Sequence, residues 1–255
     1  MIAGDYKTGK TVSSATFPKP MTFFDFDGGF SSIKNTKGKD GKLIIPDWEQ
    51  IQIVEFYKPK AVSLSFKTDL KSPVAPAHTA SSLDIIKQYN DSIIKLFEIE
   101  SKPKTLVIDS LTTVFRLWKE AILAANNISN LRIADYGTLE LVLYGQFLPT
   151  LKLLNKQLEY IILINHIDID KDELMGSILE FPVGPSRNMG RGIGKELDEI
   201  WRQREEAGDY VWRTKRSGFF QAGSRLDLPD PIKPATYYRL KEILDLRSKE
   251  GGDKK

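Results

Sequence analysis

The sequence has no cysteine among its 255 residues, which excludes a disulfide framework. No cationic segment followed by an apolar stretch opens the chain, so we expect no secretion signal. Long apolar runs are also missing, and residues 160–164, one of the longest, fall far short of a bilayer span. These absences favour a soluble protein in the cytoplasm, with no membrane partner.

A strong charge of one sign is absent as well. The chain carries 37 Lys and Arg against 34 Asp and Glu, a net charge of +3, which permits nucleic-acid contact only through a local basic patch. Hydrophobic residues make up 41% and charged residues 28%, as in ordinary globular proteins. We expect a single domain over residues 1–245 and a disordered tail over 246–255.

Apolar runs alternate with helical periodicity along the chain. We expect buried strands at 21–26, 104–109 and 160–166, and helices at 11–15, 82–100 and 139–157, the second capped by Ser81 or Ser82. The strand before residue 4 has only a few residues. Strands that alternate with helices predict an α/β fold with a mainly parallel central sheet flanked by helices.

The connecting segments carry turn signals. Asp-Gly within 37–42 predicts a hairpin tip, and 71–76 is a turn-rich connection. We interpret 168–194, rich in Gly and Pro, as a loop or mobile insertion. The segment 196–203 is short and amphipathic, and 210–214 with 218–221 predict a β-hairpin near the C-terminus.

Residues 4–11 match the phosphate-binding pattern G-x-x-x-x-G-K-[ST] at every fixed position, as they read Gly4, Asp5, Tyr6, Lys7, Thr8, Gly9, Lys10 and Thr11. Glycine lets backbone N–H groups curl around phosphates, Lys10 would reach the β and γ oxygens, and the Thr11 hydroxyl would bind Mg²⁺. A merely flexible loop is the alternative. The motif predicts a P-loop, and we count Lys10 as catalytic as well as binding.

Carboxylates follow two of the expected strands. Asp109 ends the strand 104–109, where it would hold the Mg²⁺ shell beside Thr11, although it could instead cap the next helix. Asp27, with Asp25, closes the strand after the P-loop helix and is a candidate for polarising the attacking water. A turn aspartate before two glycines is the alternative for Asp27.

His166 ends a third strand at the same predicted edge. It is a candidate sensor of the γ-phosphate that would relay its loss to the following loop, and a structural histidine is the alternative.

Basic residues gather in the last third of the chain. Arg213, Lys215, Arg216 and Arg225 lie close together without acidic neighbours between 211 and 225, and Arg187, Arg191 and Lys195 precede them. The neighbouring aromatic residues Trp212, Phe219 and Phe220 make the mixture suitable for single-stranded nucleic acid. A solvated face, or a cation that reaches a neighbouring subunit's nucleotide, is the alternative.

With these motifs in order, the chain resembles the RecA-like ATPases, most closely a bacteriophage AAA-type branch linked to single-strand DNA annealing and recombination. The similarity rests on 4–11, 23–29, 105–111, the Asp-Tyr-Gly of 135–137, 162–166 and 212–215. It implies a RecA-like P-loop fold, ATP and Mg²⁺ as cofactors, and nucleotide at the interfaces of a homo-oligomer. Asp27 stands where the family has a glutamate, which implies slow hydrolysis.

The resemblance also assigns roles in the C-terminal third. Arg213 and Lys215 would stimulate hydrolysis across a subunit interface, and the segment 167–194 takes the place of the family's DNA-binding loops. Arg187, Arg191 and Lys195 are therefore the predicted DNA-binding residues, with a single-strand-binding protein as a possible further partner.

Three functions are compatible with these features. The first is an ATPase that acts on single-stranded DNA in recombination, annealing or repair. The second is a P-loop ATPase with a protein client, in packaging or assembly, and no affinity for DNA. The third is a nucleotide-gated binding module that hardly turns over. ATPase activity measured with and without single-stranded DNA separates the first from the second.

Overall fold

The structure is a computed structural model that describes residues 1–56, 78–171, 178–217 and 220–252. The strands are β1 (Ile2–Gly4), β2 (Met21–Asp25), β3 (Ile51–Glu55), β4 (Thr105–Asp109), β5 (Tyr160–Asn165), β6 (Ile167–Lys171), β7 (Ile178–Pro182), β8 (Glu199–Glu206), β9 (Asp209–Arg213) and β10 (Gly223–Ser224). The α-helices are α1 (Lys10–Ser14), α2 (Ser31–Asn35), α3 (His78–Glu98), α4 (Leu111–Ala125), α5 (Ile133–Glu140), α6 (Leu148–Leu154), α7 (Arg187–Gly192) and α8 (Tyr237–Gly252). A π-helical segment, Leu141–Phe147, joins α5 to α6.

Eight of the described strands form one sheet in the order β10-β8-β1-β5-β4-β2-β3, with β9 also paired to β8. The pairs from β8 through β1, β5, β4 and β2 to β3 are all parallel, and only β9 and β10 run antiparallel to β8. The predicted fold class, a mainly parallel sheet with a C-terminal hairpin, is confirmed. The three-residue β1 is held by a parallel partner on each side.

The register brings polar residues to one edge of the sheet. Asp25 of β2 pairs with Asp109 of β4, and β1 and β5 place Ala3 opposite Asn165. Gly4, the first P-loop residue, pairs with Gln203 of β8. Because parallel strands end at the same edge, the P-loop and the ends of β2, β4, β5 and β8 meet there.

The central strands are largely apolar because each face of the sheet is covered. Phe24 and Ile108 pack into one cluster with α3, α4 and α6, whereas Phe23 and Val107 pack into a second cluster with α8. Burial of each such side chain stabilises the fold by about 1.5–3 kcal/mol. In the described parts of the chain, no helix combines the length and apolarity needed to cross a membrane.

Helix α4 is absent from the sequence-based expectations, although its pattern is legible. Leu111, Val114, Phe115 and Trp118 recur at helical spacing, and all four are buried. The Ser110 hydroxyl accepts a hydrogen bond from the Thr113 N–H and caps the helix. The expected cap of α3 is wrong, since that helix begins at His78.

The prediction of a loop over 168–194 is also wrong. Strands β6 and β7 pair in antiparallel fashion from Ile167 opposite Pro182 to Lys171 opposite Ile178, and α7 follows, capped by Ser186. The two strands pair with each other in a hairpin outside the central sheet, and this pairing overrides the weak local signals. Residues 172–177 lie outside the described part of the chain.

The remaining differences are local. The segment 196–203 contributes to β8, and residues 246–252 of the expected disordered tail are helical as part of α8. The hairpin tip at 37–42 is present, with Lys37 bridged to Leu43 and Gly41 at φ 77°. The expected partner of the strand 210–214 is wrong, since β9 forms its hairpin with β8. Residues 218–219 of the expected partner strand, like the connection at 71–76, lie outside the described residues.

Candidate functional site

The P-loop lies between β1 and α1. Gly9 caps the helix at φ 78°, a left-handed conformation that favours glycine. The Lys10 side chain lies within the loop, where its Nζ donates hydrogen bonds to the carbonyl oxygens of Gly4 at 3.0 Å and Asp5 at 2.6 Å. Burial lowers the pKa of Lys10 to about 8. An ammonium group is thus held where the loop can enclose an anion.

Gln203 of β8 supports the loop from behind, a role that the sequence analysis missed. Its Nε2 donates to the Thr8 carbonyl oxygen at 2.6 Å, and its Oε1 accepts from the Ser13 hydroxyl at 2.6 Å and from Trp212 Nε1 at 2.9 Å. A Cβ on Gly4 would lie 2.4 Å from the Gln203 carbonyl oxygen, so only glycine fits there. No local signal marks a glutamine 190 residues away from Ser13 as part of the site.

Thr11 and Asp109 form the candidate metal site. The Thr11 hydroxyl donates to Asp109 Oδ2 at 2.5 Å, and a Cβ on Gly29 would lie 3.5 Å from the same oxygen. Burial raises the pKa of Asp109 to about 7, and the nearby charges of Asp27 and Asp25 add to this effect. The hydrogen bond from Thr11 acts in the opposite direction and lowers the pKa. A buried carboxylate that is costly to ionise alone is well suited to a cation.

These oxygen donors fit Mg²⁺ bound together with a polyphosphate. Mg²⁺ takes one or two protein oxygens and completes its shell with water and phosphate oxygens. Among the described residues there is no group of three or more His, Cys, Asp or Glu side chains that would hold a metal without such help. Thr11 and Asp109 are therefore the protein groups that would hold the ion.

The two aspartates of the loop after β2 differ. Asp25 is fully buried, and its carboxylate accepts hydrogen bonds from four successive backbone N–H groups, those of residues 27–30. It holds the loop, so its candidacy for polarising water is not supported by the geometry. Asp27 is exposed at the cleft and accepts a hydrogen bond from the Thr113 hydroxyl at 2.5 Å. Of these two aspartates, only Asp27 lines the cleft where a substrate would bind.

The end of β5 contributes Asn165 and His166. Asn165 accepts from the Thr112 hydroxyl at 2.5 Å and donates through Nδ2 to the Val183 carbonyl oxygen at 2.8 Å, so it joins the cleft to the residue after β7. The His166 ring stacks on Tyr6 at 4.1 Å between centroids, and its Nδ1 has no hydrogen-bond partner in the described chain. Burial, with a smaller effect of Lys10, lowers the pKa of His166 and favours the neutral ring.

A cleft of ≈ 1920 Å³ joins these groups. Lys10, Thr11, Asp27, Asp109 and His166, all predicted from the sequence, line it together. Its wall also includes Arg116 of α4, which the sequence analysis missed because α4 itself was missed. The helical spacing from Thr112 to Arg116 was the signal that would have found it.

Several predicted residues lie away from this cleft. Arg213 forms hydrogen bonds with Glu206 at 2.8 and 2.9 Å and with Asp230 at 3.3 Å, and Lys215 lies 3.8 Å from Asp227. Neither lines the cleft of its own chain.

The predicted DNA-binding residues lie on and after α7. Arg187 lies 3.6 Å from Asp170 of β6, Arg191 forms an ion pair with the same carboxylate, and Lys195 is exposed. Asp135, from the Asp-Tyr-Gly segment, caps α5 by accepting the Arg132 N–H at 2.7 Å and does not line the cleft.

The comparisons with known proteins agree with this geometry. A family profile described as an AAA domain matches residues 1–226, which is most of the chain. No curated protein sequence matches it. With a P-loop, a hydroxyl and a strand-end carboxylate in one cleft, the chain belongs to the AAA domain family of P-loop ATPases.

Proposed function

We propose that this protein is a Mg²⁺-dependent ATPase of the RecA-like branch, whose nucleotide state controls its grip on single-stranded DNA in recombination, annealing or repair. The observation that carries the proposal is a continuous set of contacts from the P-loop through Arg202 to β7. The phage origin and the RecA-like branch rest on the resemblance of the motifs.

Hydrolysis would use groups that already lie together. Lys10 and the loop amides would bind the phosphates, and Thr11 and Asp109 would hold a Mg²⁺ ion, which would supply positive charge beside the transferred phosphoryl group. Asp27, the exposed carboxylate beside Thr113, orients the attacking water. Because aspartate is shorter than glutamate, we expect slow turnover.

Arg202 connects the nucleotide site to the β6–β7 hairpin. Its side chain is only 8% exposed, and it donates to Asp5 Oδ2 at 3.0 Å and to Glu180 Oε2 at 2.9 Å. The guanidinium also lies 5.6 Å from the ring centroid of Phe220. An anion bound in the loop next to Asp5 competes for this buried cation, so phosphate binding alters the contact that holds Glu180.

The hairpin in turn contacts the basic helix α7. Asp170 of β6 engages Arg187 and Arg191, so a DNA phosphate would have to replace this carboxylate. A shift of the hairpin that withdraws Asp170 would free both guanidinium groups for DNA.

Arg213 and Lys215 would act on a neighbouring subunit's nucleotide in a homo-oligomer. A single-strand-binding protein is a further partner in this proposal.

ATPase rates with and without single-stranded DNA at low salt test the proposal. We expect DNA to stimulate the wild type several-fold, and the stimulation to fall as salt rises. Arg202→Gln should lose the stimulation because the P-loop and the hairpin are no longer joined. Arg204→Gln is the matched control, since Arg204 lies on the same strand and is 47% exposed. A folded Arg202→Gln protein that DNA still stimulates contradicts the coupling.

A protein client is the second candidate, favoured by exposed apolar side chains at the two ends of α5. Ile133 is 93% exposed and Leu141 62% exposed, a composition typical of protein contacts. ATPase activity that is indifferent to DNA at low salt would favour this candidate over the first.

A further inference from the structure

The cleft extends beyond the groups that would bind phosphate and metal. β8 flanks β1 on the side opposite β5 and β4, and the cleft continues toward that side. Its walls there are the 208–210 turn, the 233–236 segment and the 37–39 hairpin tip. With ≈ 1920 Å³ in total, the cleft has room for far more than a phosphate chain.

Tyr210 is fixed at the entrance to this part of the cleft. Its ring carbons lie 3.0 Å from the position of a Cβ on Gly9, so a glycine at 9 is what lets the ring rest against the loop. Its hydroxyl donates to the Lys7 carbonyl oxygen at 3.4 Å, and 43% of the residue stays exposed. The ring is therefore positioned by the P-loop and still open to a ligand.

Asp209 closes the same region from the side. It accepts hydrogen bonds from Lys39 at 2.5 Å and pairs with Lys233 at 3.0 Å, so the hairpin tip and the 233–236 segment are both tied to β9. Pro234 and Ala235 line the cleft there, and the Ala235 N–H donates to the Tyr210 carbonyl oxygen at 2.9 Å. The result is a partly apolar enclosure with one open aromatic face.

The other exposed tyrosine of the cleft is already engaged. Tyr6 stacks on His166, at the end where the γ-phosphate would lie. Tyr210 lies on β9, which pairs with β8 on the side of β1 opposite β5. A nucleotide with its γ-phosphate near His166 and its other phosphates in the P-loop would therefore extend its base toward Tyr210.

We propose that Tyr210 stacks on the base of the bound nucleotide and that Asp209, with Lys39 and Lys233, holds the walls of this base subsite together. The inference rests on the proposed ATPase function, because the P-loop sets where the base lies. Stacking accepts any base, since every base has a π face. The subsite therefore adds affinity for nucleosides over polyphosphate without choosing between ATP and GTP.

Calorimetry with ATP, GTP and inorganic tripolyphosphate, each with Mg²⁺, tests this subsite. We expect Tyr210→Ala to weaken ATP and GTP binding about tenfold and to leave tripolyphosphate affinity unchanged. Tyr210→Phe should retain wild-type affinity because it keeps the ring. Tyr238→Ala is the matched control, since Tyr238 is 48% exposed and lies outside the cleft.

The outcomes separate this inference from the proposed function. If Tyr210→Ala weakens tripolyphosphate as much as ATP, the ring only supports the P-loop, and the base subsite is wrong. If Tyr210→Ala binds ATP as well as the wild type does, the subsite is also wrong, although the ATPase proposal stands. A wild-type protein that binds neither ATP nor tripolyphosphate overturns both.

Discussion

The ends of β2 and β4 carry two buried aspartates that pair in register but differ in the hydrogen-bond donors around them. Asp25 and Asp109 are paired across the strands, and both are less than 5% exposed. Asp25 accepts four backbone N–H groups, whereas among the described residues only the Thr11 hydroxyl donates to the Asp109 carboxylate. Burial alone therefore does not identify a functional carboxylate. The hydrogen-bond donors around it do, because a carboxylate with few donors remains available to a cation.

The largest expected effect is on catalysis at Asp109. Asp109→Asn should lower the ATPase rate about 100-fold, because the amide removes the negative charge that would hold Mg²⁺. Steady-state rates over a range of Mg²⁺ concentrations would measure the loss, and excess Mg²⁺ should restore little activity. If Asp109→Asn had the wild-type rate, Asp109 would be a structural residue like Asp25 and the distinction between the two aspartates would be wrong.

Asp25→Asn should act on stability. The amide oxygen cannot replace a charged acceptor for four N–H groups, so we expect the free energy of unfolding to fall by about 2–3 kcal/mol. Urea unfolding would measure this, with Asp91→Asn, an exposed aspartate of α3, as the control. If the variant were as stable as the wild type but inactive, Asp25 would belong with the chemical groups.

The pH dependence of stability sharpens the comparison further. In the folded protein the pKa of Asp109 is about 7, against an ordinary value of 3.8. This raised pKa contributes stability that is complete below pH 3.8 and is lost as the pH rises through 7. Without nucleotide, the wild type should lose about 2 kcal/mol between pH 5 and 7 relative to Asp109→Asn. Urea unfolding at each pH would measure this, and the same pH dependence of the free energy of unfolding in both proteins would contradict the raised pKa.

The local sequence predicted much of the fold. The apolar runs at β2, β4 and β5 predicted a parallel sheet because strands covered on both faces need continuous hydrophobicity. The sequence analysis failed at the β6–β7 hairpin, where the apolar pattern is weak. β6 and β7 carry Asp168, Asp170 and Glu180 in short alternating segments that resemble a loop until they pair with each other.

The candidate site divides in the same way. Lys10, Thr11, Asp27, Asp109 and His166 lie in one cleft, as strand ends and a glycine-rich motif predict, and their chemical roles stay predictions. Arg213 and Lys215 are engaged by acidic residues of their own chain, so a role in a neighbouring subunit requires these pairs to open.

The sequence by itself determined the P-loop and the edge of the sheet at which it lies, because a motif of eight neighbouring residues and the ends of parallel strands need no distant information. Only the tertiary structure decided which residues surround that loop. Arg202 reaches Asp5 from 197 residues away, and Tyr210 lies against Gly9, because β8 pairs with β1. Pairing between distant strands depends on the packing of the whole sheet, which no local period encodes.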